Sequence, residues 1–87
     1  MEEKIDVILK DGILAFDGHV LEFFPATSSG SSRHHIKHLA GIGLAKGLRG
    51  VKLKIQYTTG LQEDLRIDEQ HRPALEELVH AVWDAHN

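Results

Sequence analysis

The chain contains no cysteine and no long apolar run, and these two absences exclude several classes of protein. Without cysteine there is no disulfide framework, no thiolate zinc site and no thiol chemistry. The apolar runs are only a few residues long, too short to span a membrane. The first residues, Met1-Glu2-Glu3-Lys4, lack the basic head and apolar stretch of a secretory signal. We therefore expect a cytoplasmic protein, or a domain cut from a larger one.

Acidic residues are also missing, but only from the middle of the chain. Residues 23–62 contain no aspartate or glutamate, so the two flanking segments hold all 13 acidic residues. The same middle segment carries six of the 10 lysines and arginines and three of the seven histidines. Such segregation suggests a surface that faces an anion. The alternative is that the acidic ends pack beside the basic middle and cancel its field within the fold.

Length and composition otherwise indicate one small globular domain over residues 1–87. Hydrophobic residues make up 41% and charged residues 26% of the chain, close to an average soluble protein, which argues against a disordered tail or a fibrous repeat. Chains divide into separate cores only well beyond 87 residues. The sequence therefore predicts a single modest core.

Apolar alternation predicts β-strands in the first third of the chain. Residues 5–9 have the period of two that is typical of a strand with one buried face, and residues 13–16 and 19–24 are short apolar segments typical of strands. The last two strands are separated by Asp17-Gly18, a dipeptide that favours the tight turn of a hairpin. We therefore expect a β-hairpin here.

The glycines of residues 33–46 decide between a helix and strands, because the apolar spacing fits both. A helix would hold Gly41 and Gly43 in its interior at about 1 kcal/mol each relative to alanine, whereas bent or bulged strands use glycine where the chain kinks. We therefore predict two short strands in this segment. Before it, Pro25 ends a strand and the small polar residues 26–32 predict a flexible loop.

The second half of the chain predicts two more strands and a helix. Residues 46–50 indicate a connecting loop, residues 51–57 are the clearest strand of the sequence, and residues 64–68 form a last antiparallel strand. The apolar period then changes to that of a helix over residues 72–86, where Pro73 suits the first turn.

The helix must cover something apolar, and the preceding strands are the only candidate. The fold class is therefore α+β, mainly β: a bent antiparallel sheet, or partly open barrel, of about six to seven strands closed by one C-terminal helix. Trp83 falls on the apolar face of that helix, so we expect it to pack in the core. Phe24 and Tyr57 are the aromatic residues expected to be exposed.

The order of these elements resembles a small bacterial domain of the pleckstrin-homology-like (PH-like, or GRAM-like) superfamily. The resemblance spans roughly residues 5–86 and rests on the hairpin at residues 12–24, the stretch at residues 33–44, a strand pair and a terminal helix. In pleckstrin-homology domains a tryptophan of the closing helix packs into the barrel, a position that the resemblance gives to Trp83. It implies a binding module without catalysis, with phosphoinositide headgroups, membranes or protein segments as ligands.

Members of this superfamily that bind lipids carry lysine and arginine in the loop between their first two strands. Here neither Asp11-Gly12 nor Asp17-Gly18 has a basic cluster. We therefore expect a protein partner or a homo-oligomer, formed by strand addition at an open sheet edge.

Binding of an anion or an acidic membrane surface is the alternative. On a strand, Lys52 and Lys54 point to one side about 7 Å apart, a spacing that meets two phosphates. The cations available for an anion or a partner are Arg33, Lys46, Arg49, Lys52 and Lys54.

The remaining chemistry gives weaker signals, and we expect no enzyme and no cofactor. His34 and His38 would be neighbours on a helix but about 13 Å apart on a strand, so a histidine metal site is only a second alternative to surface histidines. The serines of the polar loop lack the sharp turn that positions a nucleophile. Few aromatic residues and a pI of about 6.1 argue against nucleic acid as a partner.

Overall fold

The computed structural model describes residues 4–27 and 29–86, which form seven strands and one α-helix. The strands are β1 (Ile5–Ile8), β2 (Gly12–Phe16), β3 (Val20–Pro25), β4 (Ser32–His35), β5 (Leu39–Gly47), β6 (Gly50–Tyr57) and β7 (Gln62–Arg66). A 3₁₀ turn, Ile36–His38, joins β4 to β5, and a second, Glu69–His71, leads into α1 (Arg72–His86). The chain is thus α+β and mainly β, as the sequence predicts.

The strands form two antiparallel sheets rather than one bent sheet. The first has the order β1-β2-β3-β4 and the second the order β5-β6-β7. The sheets meet where β1 ends, because Leu9 forms an isolated bridge with Ile67 and the Lys10 N–H donates to the Arg66 carbonyl at 3.1 Å. The described strands do not close into a barrel.

The helix α1 has the bounds that the apolar period and Pro73 predict, and it covers the core. Its buried side chains are Leu75, Leu78 and Val82, each at most 2% exposed, and the helix packs against β1 and β5. Strand residues such as Leu14 and Leu53, both fully buried, form the other side of this core. No helix in the described part of the chain is long and apolar enough to cross a membrane.

The prediction that residues 33–46 are extended rather than helical is confirmed. The segment enters β4, turns through Ile36–His38 and continues as β5, where a register shift between Leu39 and Gly41 marks a bulge. Two backbone bonds hold the turn: Ile36 N–H donates to the His19 carbonyl at 2.8 Å, and Thr58 N–H donates to the His38 carbonyl at 2.9 Å.

Two predicted loops are shorter than expected. In the predicted loop 46–50 only Leu48 and Arg49 form the turn, because the residues before it pair with β6. The predicted loop 26–32 ends one residue early, because Ser32 pairs with Phe23 and begins β4. Ser28, also part of that prediction, lies outside the described residues, as do residues 1–3 and 87.

The last strand lies two residues earlier than the predicted residues 64–68. Ile67 leaves the ladder with β6 and bridges to Leu9 instead. The Asp68 carboxylate then accepts a hydrogen bond from the Gln70 N–H at 3.0 Å, which starts the 3₁₀ turn before α1. A contact with the first sheet and a capping carboxylate therefore end the strand.

The predicted positions of two aromatic residues are wrong. Trp83 is 40% exposed rather than part of the core, because its indole N–H reaches around β5 to donate to the Ile42 carbonyl at 2.8 Å. Tyr57 is only 8% exposed, and its hydroxyl donates to the Glu63 carboxylate at 2.8 Å. Phe24 is exposed as predicted.

Candidate functional site

Strand β5 lies at the edge of the second sheet, with β6 on one side only. On its other side the Trp83 indole N–H donates to the Ile42 carbonyl, and His86 Nε2 lies 3.0 Å from the Leu39 carbonyl oxygen. Two side chains of α1 therefore cover the first part of this edge.

The rest of the β5 edge presents unpartnered backbone groups. Hydrogen-bonding direction alternates along an antiparallel strand, so Leu44 and Lys46 direct their N–H and C=O groups outward as Ile42 directs its carbonyl. No hydrogen bond to these outward groups is found within residues 4–27 and 29–86. We call the outward backbone groups of Leu44 and Lys46 the open edge.

The opposite side of the sheet gives an independent check on this alternation. The Arg66 N–H and C=O face away from β6, because they bond to the Asp11 carboxylate and to the Lys10 N–H. Lys52, directly opposite Arg66, must then direct its backbone groups toward β5, where it pairs with Ala45. The backbone N–H and C=O groups of Leu44 and Lys46, on either side of Ala45, therefore face away from β6, in agreement with the assignment from Ile42.

A trough runs along the outer face of β5, because this strand places only small residues there. Gly43 and Ala45 stand opposite Lys54 and Lys52, and a Cβ at Gly43 would have no atom within 4 Å. Two depressions of about 310 and 400 Å³ lie side by side along this face and share Ala45 and Lys54 as lining residues, and we call the two together the trough. It extends from Trp83 to the turn between β5 and β6.

Four of the five predicted site residues come together at this trough. Lys46, Arg49, Lys52 and Lys54 all line it. Arg33 does not belong to the group, because it lies on β4 in the other sheet and pairs with Glu22 at 3.8 Å. The trough therefore has a basic lining supplied by one hairpin, β5–β6.

The four lysines and arginines of this hairpin have no carboxylate within 4.0 Å among the described residues. Ion pairs between described residues involve other cations, namely Lys4, Arg33, Arg66 and Arg72. The acidic ends of the chain thus form no ion pair with these four cations, although Asp64 lies directly opposite Lys54 and the charge of Lys52 helps to lower the pKa of Asp11. The balance favours an anion-facing surface over a field fully cancelled within the fold.

An ion pair between the two sheets removes one nearby cation from that surface. Asp11 accepts from the Arg66 side chain at 2.7 and 2.8 Å and from the Arg66 N–H at 2.7 Å. Partial burial alone would raise the pKa of the Asp11 carboxyl, but the hydrogen bonds and charge of Arg66 outweigh it and lower that pKa below 3.8. The same hydrogen bond raises the pKa of Arg66. Arg66, although opposite Lys52, is therefore already occupied.

The lowered pKa of Asp11 predicts that this ion pair stabilises the fold only when the carboxyl is ionised. Its contribution is complete above the unfolded pKa of about 3.8 and is lost as the pH falls toward the lower folded value. At pH 7 we expect Asp11→Asn to lower the free energy of unfolding by about 1 kcal/mol, a magnitude reduced for solvent exposure. At pH 3 the difference from wild type shrinks.

Urea unfolding at both pH values measures this effect. Asp6→Asn is the matched control, because Asp6 only approaches Lys4 at 4.0 Å on the surface. A difference between wild type and Asp11→Asn that is equal at pH 7 and pH 3 contradicts the ion-pair account.

The histidines predicted as a second alternative site lie apart from the trough. The His34 ring packs on Tyr57 with ring centroids 4.3 Å apart, and both line a pocket that includes His38. Burial, followed by the hydrogen bond to Glu63 and the charge of Glu63, raises the pKa of Tyr57 well above its ordinary value. The described residues contain no group of three side chains suited to a metal ion, so we propose no metal centre.

Comparisons with protein-family models, with curated proteins and with solved structures found no match. The candidate site is therefore inferred from the geometry of the β5–β6 hairpin and Trp83. The cations of the site are evident from the charge pattern of the sequence, whereas the role of Trp83 beside them is not. One sequence feature could have indicated this role: Trp83 is the last large apolar residue of the helix, and a side chain near the end of a helix is less easily buried in the core.

Proposed function

We propose that the chain is a PH-like interaction domain without catalysis that binds a segment of a partner protein as an added strand beside β5. The observation that carries this proposal is the open edge at Leu44 and Lys46. A strand paired there would extend the second sheet to four strands, with backbone hydrogen bonds providing the affinity.

The element order supports the PH-like part of the proposal. A hairpin, further antiparallel strands and a C-terminal helix follow one another in the order on which the resemblance rests. The helix carries a tryptophan in the expected element, although Trp83 contacts the edge of β5 rather than the interior. This contact places an aromatic side chain directly beside the proposed binding edge.

The shape of the edge supports strand addition at β5 rather than elsewhere on this sheet. β7, the other edge strand, is occupied at Arg66 by Asp11 and Lys10. On β5, Trp83 blocks pairing from Ile42 backward, so an added strand is confined to the stretch between Trp83 and the turn. The bound segment is therefore short, about four to six residues.

The proposal predicts that proline at an outward-facing position of β5 blocks binding. Lys46→Pro removes an N–H that β6 does not use, so the sheet tolerates it while the open edge loses a donor. Lys46→Ala is the matched control, because it removes the same side chain and keeps the N–H. We expect Lys46→Pro to weaken binding of a strand-forming peptide by about five- to ten-fold relative to Lys46→Ala, because one backbone hydrogen bond is lost.

The measurement is a titration of isotope-labelled protein with the peptide acetyl-TVTVTV-amide, followed through backbone amide signals. Binding beside β5 shifts the signals of Leu44 and its neighbours in the wild type and in Lys46→Ala. Equal affinity of Lys46→Pro and Lys46→Ala would mean that peptides do not add at this edge.

An anionic membrane surface is a second candidate partner, favoured by one observation. Leu48 is fully exposed at the turn, between the unpaired cations Lys46 and Arg49. An apolar side chain flanked by cations suits the boundary of an acidic bilayer. Leu48→Ser separates the two candidates, because it removes the group that a bilayer would take up and leaves the open edge intact.

A further inference from the structure

We propose that the segment bound beside β5 is acidic, with carboxylates at alternate positions that contact Lys52 and Lys54 across the trough. This inference rests on the proposed function, because it assumes that the partner adds as a strand at the open edge. It names the chemistry of the partner: an extended protein segment in which glutamate or aspartate alternates with apolar residues.

Alternate side chains of a bound segment would share the outer face of the sheet with Lys52 and Lys54. Residues directly opposite one another in an antiparallel sheet point to the same side. Partner residues opposite Gly43 and Ala45 would therefore stand on the outer face, in line with Lys54 and Lys52 on β6. Every second residue of the bound segment thus faces a lysine one strand further in.

No side chain of β5 separates the lysines of β6 from the facing side chains of the bound segment. Two strand spacings, about 9.6 Å, divide the partner backbone from that of β6. The long stem of lysine and the side chain of glutamate together span that distance. Gly43 has no side chain and Ala45 only a methyl group, so the path over β5 is open. A larger residue at either position would block it.

The spacing of the two lysines matches that of alternate residues on a bound strand. Lys52 and Lys54 are two residues apart on one strand, about 7 Å, and alternate residues of a bound strand repeat at the same distance. Each lysine can therefore meet its own carboxylate. The remaining apolar residues of the segment would face the side on which Ile42 and Leu44 contact the core.

Charge also favours an acidic segment. Lys52 and Lys54 project from the outer face and Arg49 lies at the turn, none of them in an ion pair, whereas Asp64 is the only acidic residue that lines the trough among those described. Asp64 stands on β7 directly opposite Lys54, on the side of β6 away from the open edge, and its carboxylate accepts from the Gln62 side chain at 3.1 Å. A basic segment would be repelled here and a neutral one would leave the cations unused.

The test compares three hexapeptides that differ only in the alternating polar residue: acetyl-EVEVEV-amide, acetyl-TVTVTV-amide and acetyl-KVKVKV-amide. At low salt we expect the glutamate peptide to bind about ten-fold more tightly than the threonine peptide, from several exposed ion pairs worth about two- to five-fold each. The lysine peptide binds most weakly. At 1 M salt the preference disappears, because these pairs are screened.

Charge reversal tests the assigned lysines directly. In Lys52→Glu/Lys54→Glu we expect the order of the peptides to invert, so that the lysine peptide binds most tightly. Lys10→Glu/Lys37→Glu is the matched control, because it changes the net charge equally through two lysines that do not line the trough. The control keeps the preference for glutamate.

Each failure has a distinct meaning. If the threonine peptide shifts the Leu44 and Lys46 amides and the glutamate peptide binds no better, the acidic preference is wrong and the proposed function stands. If no peptide shifts these amides, both are wrong. If phosphatidylserine vesicles bind, Leu48→Ser abolishes that binding, and the glutamate peptide binds no better than the threonine peptide, the cations serve a membrane and the acidic-segment proposal is overturned.

Discussion

Gly12→Ala is expected to lower the free energy of unfolding by at least about 3 kcal/mol, through overpacking and backbone strain together. Gly12 begins β2 with φ at +154°, a conformation that residues with a side chain rarely adopt. A Cβ there would lie only 2.1 Å from the Phe24 carbonyl oxygen on the neighbouring strand. Because the clash is with backbone, β2 and β3 must separate to relieve it.

Gly43→Ala is the matched control for this prediction. Gly43 also lies in a strand, but its φ is not in the left-handed region and an added Cβ meets nothing within 4 Å. We expect its stability to stay within about 0.5 kcal/mol of the wild type. Urea unfolding followed by far-ultraviolet circular dichroism measures both variants. Equal stabilities for Gly12→Ala and Gly43→Ala would contradict the close approach of β2 and β3.

The elements that could be predicted from sequence are those with one clean period. In α1 the apolar residues recur at helical spacing and Pro73 suits the first turn, so both bounds are predictable. In β6 the strict alternation of Leu53, Ile55 and Tyr57 with polar residues likewise makes the strand predictable. Where the period is unambiguous, burial of one face determines the element.

The junction between β4 and β5 shows where such prediction ends. Its glycines argue against a helix, and the chain is indeed extended there. The 3₁₀ turn at Ile36–His38 has one local contribution, the His35 ring that accepts from the Lys37 N–H at 3.2 Å. It also depends on backbone bonds to His19 and Thr58 from distant elements. Tertiary hydrogen bonds of this kind leave no period in the sequence.

One part of the candidate site could likewise be predicted from the sequence, and another part depends on tertiary structure. A basic surface around Lys52 and Lys54 follows from charge segregation and strand alternation. That Arg33 is excluded from it could not be predicted, since this depends on which sheet β4 joins and on its pairing with Glu22. The ion pair of Asp11 with Arg66 joins residues 55 positions apart in sequence, beyond the reach of any local pattern.

The open edge is equally hidden in the sequence. It depends on which alternate residues of β5 bond to β6, and the turn at Leu48-Arg49 sets that register. It also depends on Trp83 covering Ile42 but not the residues beyond. A shift of one residue would bury the groups that are now open.

Amide hydrogen exchange of the free protein along β5 tests the open edge most directly. Gly43 and Ala45 donate their N–H groups to β6, so they exchange only when the sheet opens, whereas Leu44 and Lys46 direct theirs to solvent. We predict exchange at least about 100-fold slower at Gly43 and Ala45 than at Leu44 and Lys46, after correction for intrinsic rates. Uniform protection of all four amides would contradict the account, since β5 would then already have a partner strand.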